Sequence, residues 1–282
     1  MKLEDFIDAG YKVTQLHGGT VGDVKLITGI AGDKIVLKTQ HKWERYGDSD
    51  SWRREYDLYT SDFGKLFNGN LRWPECYHAE INDDETQIWM EYIDGVSGRE
   101  LTVEMLEQAA FELGRFQSRV SIPNQPYFTQ LEWTKHYYTE YRAQTKEYAY
   151  LRSDECKLPE HLRQMLINIE YSAVEHLPIV FCHRDFWHEN IIYSGGKIRL
   201  IDWDCAGWGL LGEDIIQLVT DEVDPNHLEE YFRRFVPAYL KGFGIDNIDL
   251  WKMLVVKHGY SSIHSPDVLQ KIYEMRDLHV TN

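Results

Sequence analysis

The sequence predicts an α+β protein of two lobes: a small antiparallel β-sheet lobe with one main helix over residues 1–92, and a larger, mainly helical lobe over 93–282. Three observations carry this. Short apolar runs separated by glycine- and acid-containing turns fill the first lobe, which is a hairpin pattern. Beyond residue 93 the apolar and aromatic residues recur at helical spacing. One stretch breaks that helical pattern: Phe181-Cys182-His183-Arg184-Asp185-Phe186-Trp187-His188-Glu189-Asn190, followed by Ile198-Arg199-Leu200-Ile201-Asp202-Trp203-Asp204.

The totals bound the rest. A chain of 282 residues is long enough for two packed lobes, and 43% apolar with 13% aromatic residues describes a globular protein. Against 30 basic side chains stand 46 acidic ones, a formal charge of -16 that disfavours nucleic acid and anionic membranes and attracts cations. Cys76, Cys156, Cys182 and Cys205 show no metal-binding spacing, so reduced thiols in a cytoplasmic protein are expected. The start, Met1-Lys2-Leu3-Glu4-Asp5, lacks an apolar leader, and no run approaches a membrane span.

In chain order, strands are expected over 11–17, 23–29 and 34–40. Between the first two lies Gly18-Gly19-Thr20-Val21-Gly22, where Gly19 and Thr20 could bring backbone N–H groups to a phosphate. The third strand carries Lys38 at the end of an apolar run. A helix capped by Asp50 or Ser51 and running through Trp52 towards Phe67 follows; Tyr56, Tyr59, Phe63 and Leu66-Phe67 form its packing face, and Glu55 in its first turns can reach back to Lys38. Glu44, in the preceding loop, is a weaker competitor for the same partner. Strands over 74–81 and 86–92 complete the lobe, and the connector beyond them can offer the Glu91 carbonyl and the Ile93 N–H to an adenine edge. In the second lobe, Thr102 is the expected cap of a helix whose stripe runs Leu106, Ala109, Leu113 and Phe116-Gln117. Trp133, Tyr137, Tyr141 and Tyr148 form a stripe expected to pack in the core.

The organising stretch carries the chemistry. Its two apolar runs are expected to form one small β-hairpin, with Asp185, Asn190 and Asp202 at its mouth. An acid, an amide five positions on and a second acid after a Gly-Gly turn match what Mg²⁺-dependent phosphoryl transfer needs: one carboxylate for the attacking hydroxyl, an amide oxygen and a carboxylate for the metal. The spacing His-x-Asp-x-x-x-x-Asn is that of a kinase catalytic loop. A polar hairpin with solvated acids is the alternative.

With Lys38, Glu55, Asp185, Asn190 and Asp202 in this order, the chain resembles the aminoglycoside phosphotransferase and choline kinase family, which has a two-lobed protein-kinase-like fold. The resemblance implies that Asp185 orients or deprotonates the acceptor hydroxyl and that Asn190 and Asp202 ligate Mg²⁺. It implies further that Lys38 holds the α- and β-phosphates of ATP or GTP, and that Glu55 holds Lys38. His183 is expected as a strut rather than a base. Arg184 stands where this family commonly has glycine, and in that respect looks like a protein kinase. Only Cys205 to Gly212 separates Asp204 from the next helix, too little for a long activation loop, so a small-molecule kinase is expected.

The acceptor is expected beside the C-terminal helices. Asp221, Glu222, Asp224, Glu229, Glu230, Asp246 and Asp249 could line a pocket for a polycationic, aminoglycoside-like antibiotic, or instead cap helices and face water. Trp187 and Trp208 could box a simple amine, which would fit a metabolic kinase of choline, ethanolamine or a sugar. A catalytically silent nucleotide-binding module is the reading from another class. A small cationic or hydroxylated substrate is the expected partner, and monomer and homodimer are both open.

Overall fold

The computed structural model describes residues 2–16, 22–43, 48–67, 69–120, 131–221, 224–246 and 248–278. The chain divides into two units: Met1–Gly98 together with Asn190–Cys205, and Arg99–Glu189 together with Ala206–Asn282.

The first unit is built on a five-stranded antiparallel sheet in the order β1-β2-β3-β6-β5, from β1 (Lys12–Gln15), β2 (Gly22–Thr28), β3 (Lys34–His41), β5 (Cys76–Ile81) and β6 (Glu85–Glu91). Alternation along these strands sorts side chains between two faces. Ile27, Leu37 and Trp89 pack with Leu3 and Phe6 of helix α1 (Leu3–Asp8) on one side. On the other, Ile88 and Met90 pack with Val36 and with Tyr56 and Tyr59 of α2 (Arg54–Thr60). The expected single helix from Trp52 to Phe67 is thus divided: a 3₁₀ turn at Ser51–Arg53, then α2, then a second 3₁₀ turn at Asp62–Leu66. Asp50 makes no side-chain capping bond.

A second sheet in this unit, in the order β4-β10-β9-β7, joins β4 (Leu71–Arg72), β7 (Val96–Ser97), β9 (Ile191–Ser194) and β10 (Lys197–Leu200). A boundary drawn from composition at residue 93 follows the change from strands to helices. The first unit also takes in Asn190–Cys205, because β9 and β10 pair with β7 and β4.

In the second unit, β8 (Ile179–Cys182) pairs antiparallel with β11 (Gly207–Leu210). This corrects the expected hairpin. The run ending at Cys182 pairs with the glycine-rich segment after Asp204, while Ile198–Leu200 pairs with Ile191–Tyr193. The helices are α3 (Val103–Gln117), α4 (Leu131–His136), α5 (Arg142–Gln144), α6 (Lys146–Arg152), α7 (Glu160–Asn168), α8 (Glu213–Val219), α9 (Pro225–Phe243), α10 (Trp251–Leu254) and α11 (Pro266–Glu274). Thr102 caps α3 as expected, its hydroxyl accepting from the Met105 N–H at 3.3 Å. Among the described residues no helix is long and apolar enough to cross a membrane.

Helices α3 and α9 touch backbone to backbone. A Cβ on Gly114 would lie 2.1 Å from the Tyr239 carbonyl oxygen, and one on Gly242 would lie 2.0 Å from that of Phe111. Of the aromatic stripe expected in the core, Tyr137 and Tyr141 lie at the surface, while Trp133 and Tyr148 are half-buried. Tyr137 and Tyr141 are 39% and 37% exposed, and Trp133, Tyr137 and Tyr141 stack on one another with centroids 5.4 Å apart at each step. Their helix turns Tyr138 inward instead, where it stacks on Tyr171.

Two expectations follow. Gly114→Ala must separate α3 from α9, and overpacking of this kind costs about 1–3 kcal/mol; urea unfolding should show a lower midpoint at unchanged slope. His258, in a π-helical turn at Val255–Gly259, is held by burial, with help from Lys257, at a pKa of about 4. Its folded pKa is below the unfolded one, so its contribution to stability is complete above about pH 6.5 and is lost as pH falls towards 4. Relative to His258→Leu, the wild-type protein should lose at most about 3 kcal/mol between pH 7 and 4, checked by denaturant melts across that range.

Candidate active site

Lys38 lies on β3, the middle strand of the five, opposite Val24 and Ile88. Alternation puts its side chain on the face that packs against α2, where Glu55 sits in the first turn. The Lys38 Nζ donates to Glu55 Oε2 at 2.5 Å and to Asp202 Oδ1 at 2.6 Å. Burial by itself would lower the Lys38 pKa; the charges of Asp202, Glu55 and Asp204 outweigh it and hold the ammonium above the ordinary lysine value. Burial raises the Glu55 carboxyl, an effect that Lys38 only partly reverses. With two carboxylate oxygens within 2.6 Å, the lysine stays charged.

Asp202 reaches this point because its backbone is fixed on both sides. The Ile201 N–H donates to the Asn190 carbonyl at 3.1 Å, closing the mouth of the β9–β10 hairpin and bringing Asn190 and Asp202 to the same end. The fully buried Trp203 then plugs into Phe63, Phe67 and Trp73, and its indole N–H donates to the Leu200 carbonyl at 2.9 Å. Its backbone N–H donates to Glu55 Oε1 at 3.3 Å, so one glutamate bridges the lysine and the Asp202–Trp203 peptide. Asp202 itself has φ +65°, a left-handed conformation that aspartate tolerates better than most residues.

Asp204 accepts from Gln40 Nε2 at 3.3 Å, and its carbonyl accepts from Arg54 Nη1 at 3.1 Å. Arg54 is 2% exposed and grips Asp48 through two bonds of 2.7 and 2.8 Å. Gln40, Asp48 and Arg54 were not singled out from the sequence. Their only trace there is position: a glutamine two residues after Lys38, and an arginine beside Glu55. Asn190 is 7% exposed at the end of a helical turn, and Glu91 ends β6 with its carboxylate accepting from the Glu75 N–H at 3.2 Å. Ile93 is half-buried in the connector beyond. Gly19, Thr20, Glu44 and Glu222 lie outside the described residues.

The second unit holds Asp185. Its Oδ1 accepts from Gln217 Nε2 at 3.3 Å, and its N–H donates to His183 Nδ1 at 3.3 Å. The loop before it hangs from the buried Asp214 carboxylate, which accepts from the backbone N–H groups of His183 and Arg184, each at 2.8 Å, and from Gln117 Nε2 at 2.9 Å. The Tyr239 hydroxyl donates to Gln117 Oε1 at 2.5 Å. Burial raises the Asp214 carboxyl, and these donors with the His183 ring pull it back only in part. Gln117 was foreseeable as the one amide in the apolar stripe of α3.

The acceptor residues fare differently. Trp208, 5% exposed, meets Phe181 edge to face at 5.3 Å in the β8–β11 pair, which removes it from a solvent-facing amine box. All four residues of β11 are buried, so neither face of that strand reaches solvent. Asp221 is engaged by both the N–H and the ring Nδ1 of His188, so its charge serves the loop after Asp185. Asp224 caps α9, Asp249 accepts from the Trp251 N–H at 2.8 Å, and Glu229 and Glu230 pair with Arg233, Arg234 and Lys271.

The family model described as the phosphotransferase enzyme family matches residues 13–251. Similar solved structures include a choline kinase from Cryptosporidium parvum Iowa II, at 15% identity and TM-score 0.58, covering 96% of this chain and 91% of that one. An amicoumacin kinase is similar at 16% identity and TM-score 0.56, covering 95% and 89%. An aminoglycoside-3'-phosphotransferase of type VIII is similar at 13% and 0.57, covering 96% and 98%. A comparison with curated protein sequences gives no match. These structures share the two-lobed, protein-kinase-like α+β fold, and the match over most of its length shows that the chain belongs to the phosphotransferase enzyme family.

Proposed function

We propose that this chain is a small-molecule kinase that transfers the γ-phosphate of ATP or GTP to an acceptor hydroxyl. The observation that carries the reading is the Lys38 ammonium, clamped by Glu55 and Asp202 and so fixed in place for a triphosphate. Lys38 binds the α- and β-phosphates. The Glu91 carbonyl and the Ile93 N–H meet the adenine edge. Asn190 and Asp202 hold Mg²⁺. Among the described residues no three acids, histidines or cysteines gather into a metal cage. One amide and one carboxylate still suit this ion, which is commonly held by one or two carboxylates, substrate phosphates and water. When bound it supplies charge neutralisation at the phosphates. The amicoumacin kinase structure is described in complex with AMP-PNP and Ca²⁺, which supports nucleotide and divalent ion by analogy.

Asp185 orients the acceptor hydroxyl or takes its proton, and Gln217 and the Asp214-held loop set its position. The acceptor is cationic, of the aminoglycoside type. The support is the formal charge of -16, because several of the acids named for a pocket are committed within the chain. Such an activity would confer antibiotic resistance and would act in the cytoplasm.

Nucleotide consumption should be measured against aminoglycosides in one set and choline, ethanolamine and simple sugars in another. Acceleration by the first set alone supports the reading; acceleration only by the second replaces it with a metabolic kinase. Nucleotide-dependent thermal stabilisation with transfer to neither would favour a silent binding module. Asp185→Ala should lower kcat by about 10²–10⁴-fold and leave the nucleotide Kd within about threefold. Near-normal turnover would remove Asp185 from its role.

A further inference from the structure

We propose that Arg184 is the positioning residue of the loop, an anchor whose guanidinium sets the place of Asp185; the inference rests on Asp185 being the base. Arg184 has φ +65°, a conformation that favours glycine, and it is the residue immediately before Asp185. An arginine kept in that conformation needs a reason in its side chain. The side chain is 5% exposed, and its contacts are specific. Nη2 donates both to the Thr134 hydroxyl and to the Trp208 carbonyl. Nε lies 3.9 Å from Glu213 Oε2, and the guanidinium carbon stands 4.8 Å from the centre of the Trp133 ring.

These contacts join the loop to three elements of its own unit: α4 through Trp133 and Thr134, β11 through Trp208, and the first turn of α8 through Glu213. The backbone N–H of the same residue donates to Asp214. Arg184 is therefore held at both ends, its amide by one carboxylate and its guanidinium by a hydroxyl, a carbonyl, a carboxylate and an indole face. The planar fork of arginine suits such a divided set of acceptors, and a lysine could not reproduce it. The guanidinium is already committed to these partners, so recruitment by a phosphorylated loop, its use in protein kinases, has no role here. Loss of the anchor would leave the loop free to shift by a fraction of an ångström to an ångström, and a misplacement of 1 Å can cost on the order of 10²-fold in rate.

Basal Mg·ATP hydrolysis, with water in place of the acceptor hydroxyl, supplies the readout without an identified acceptor. Arg184→Gly keeps the backbone conformation and deletes the anchor. Its kcat should fall by about 10–100-fold with KM for ATP within about twofold, and added guanidinium at non-denaturing concentration should restore part of the loss. Arg184→Lys should stay low. If Arg184→Gly turns over like wild type while Asp185→Ala is inactive, the anchor is refuted and the base stands. If Asp185→Ala retains turnover, the base reading fails and the anchor falls with it. Should Arg184→Gly not fold, Thr134→Val decides: a several-fold lower kcat at unchanged KM supports the anchor, and a wild-type kcat overturns it.

Discussion

A part-buried ammonium between two carboxylates is the constraint on which the first unit depends. Removing a lysine and a glutamate from water costs several kcal/mol each, and only close, well-oriented partners offset it. The partners of Lys38 come from elements far apart in sequence, Glu55 from α2 and Asp202 from the exit of β10. Glu55, 2% exposed, is the group that most needs its partners, because its charge is the one most fully removed from water. The sheet, the helix and the β9–β10 hairpin must therefore be assembled together for the charge to be satisfied. Trp203 makes the arrangement rigid by filling the aromatic pocket of Phe63, Phe67 and Trp73 beside Asp202.

The second unit solves a related problem with the opposite charge. Asp214 is 1% exposed, and two backbone N–H groups and the Gln117 amide satisfy it. A carboxylate that accepts three hydrogen bonds converts a flexible loop into a fixed one, because each bond lost would leave a buried acceptor short of a partner. The close passage of α3 over α9, permitted by Gly114 and Gly242, is what lets Gln117 and Tyr239 meet behind it.

Much of this was legible in the sequence, for physical reasons. Strands punctuated by Gly and Asp turns declared themselves, so β2, β3, β5 and β6 fall within a residue or two of expectation. Lys38 and Asp202 stand out because a charge at the end of an apolar run has few places to go, Glu55 because it lies in the first turns of the next helix, and Asn190 by its spacing from Asp185. Non-local pairing left no such trace. The two-residue strands β4 and β7 are too short to show alternation, and the partnership of β8 with β11 spans the whole β9–β10 hairpin. The fate of aromatics was misjudged in both directions. Tyr137 and Tyr141 of the aromatic stripe lie at the surface, whereas Trp208 is buried, because helical spacing and proximity to a motif do not say which face a neighbour covers. The acids showed the same limit, since Asp221 is engaged by His188, a pairing that only the fold brings about.

The proposed function requires the Lys38 ammonium to be a phosphate ligand rather than a structural ion pair. The direct measurement is kcat/KM for Mg·ATP in Lys38→Met, in protein that keeps a cooperative melt. A fall of about 10²–10³-fold, the usual consequence of losing one group that stabilises developing charge, is the predicted result. A value within about threefold of wild type would contradict it.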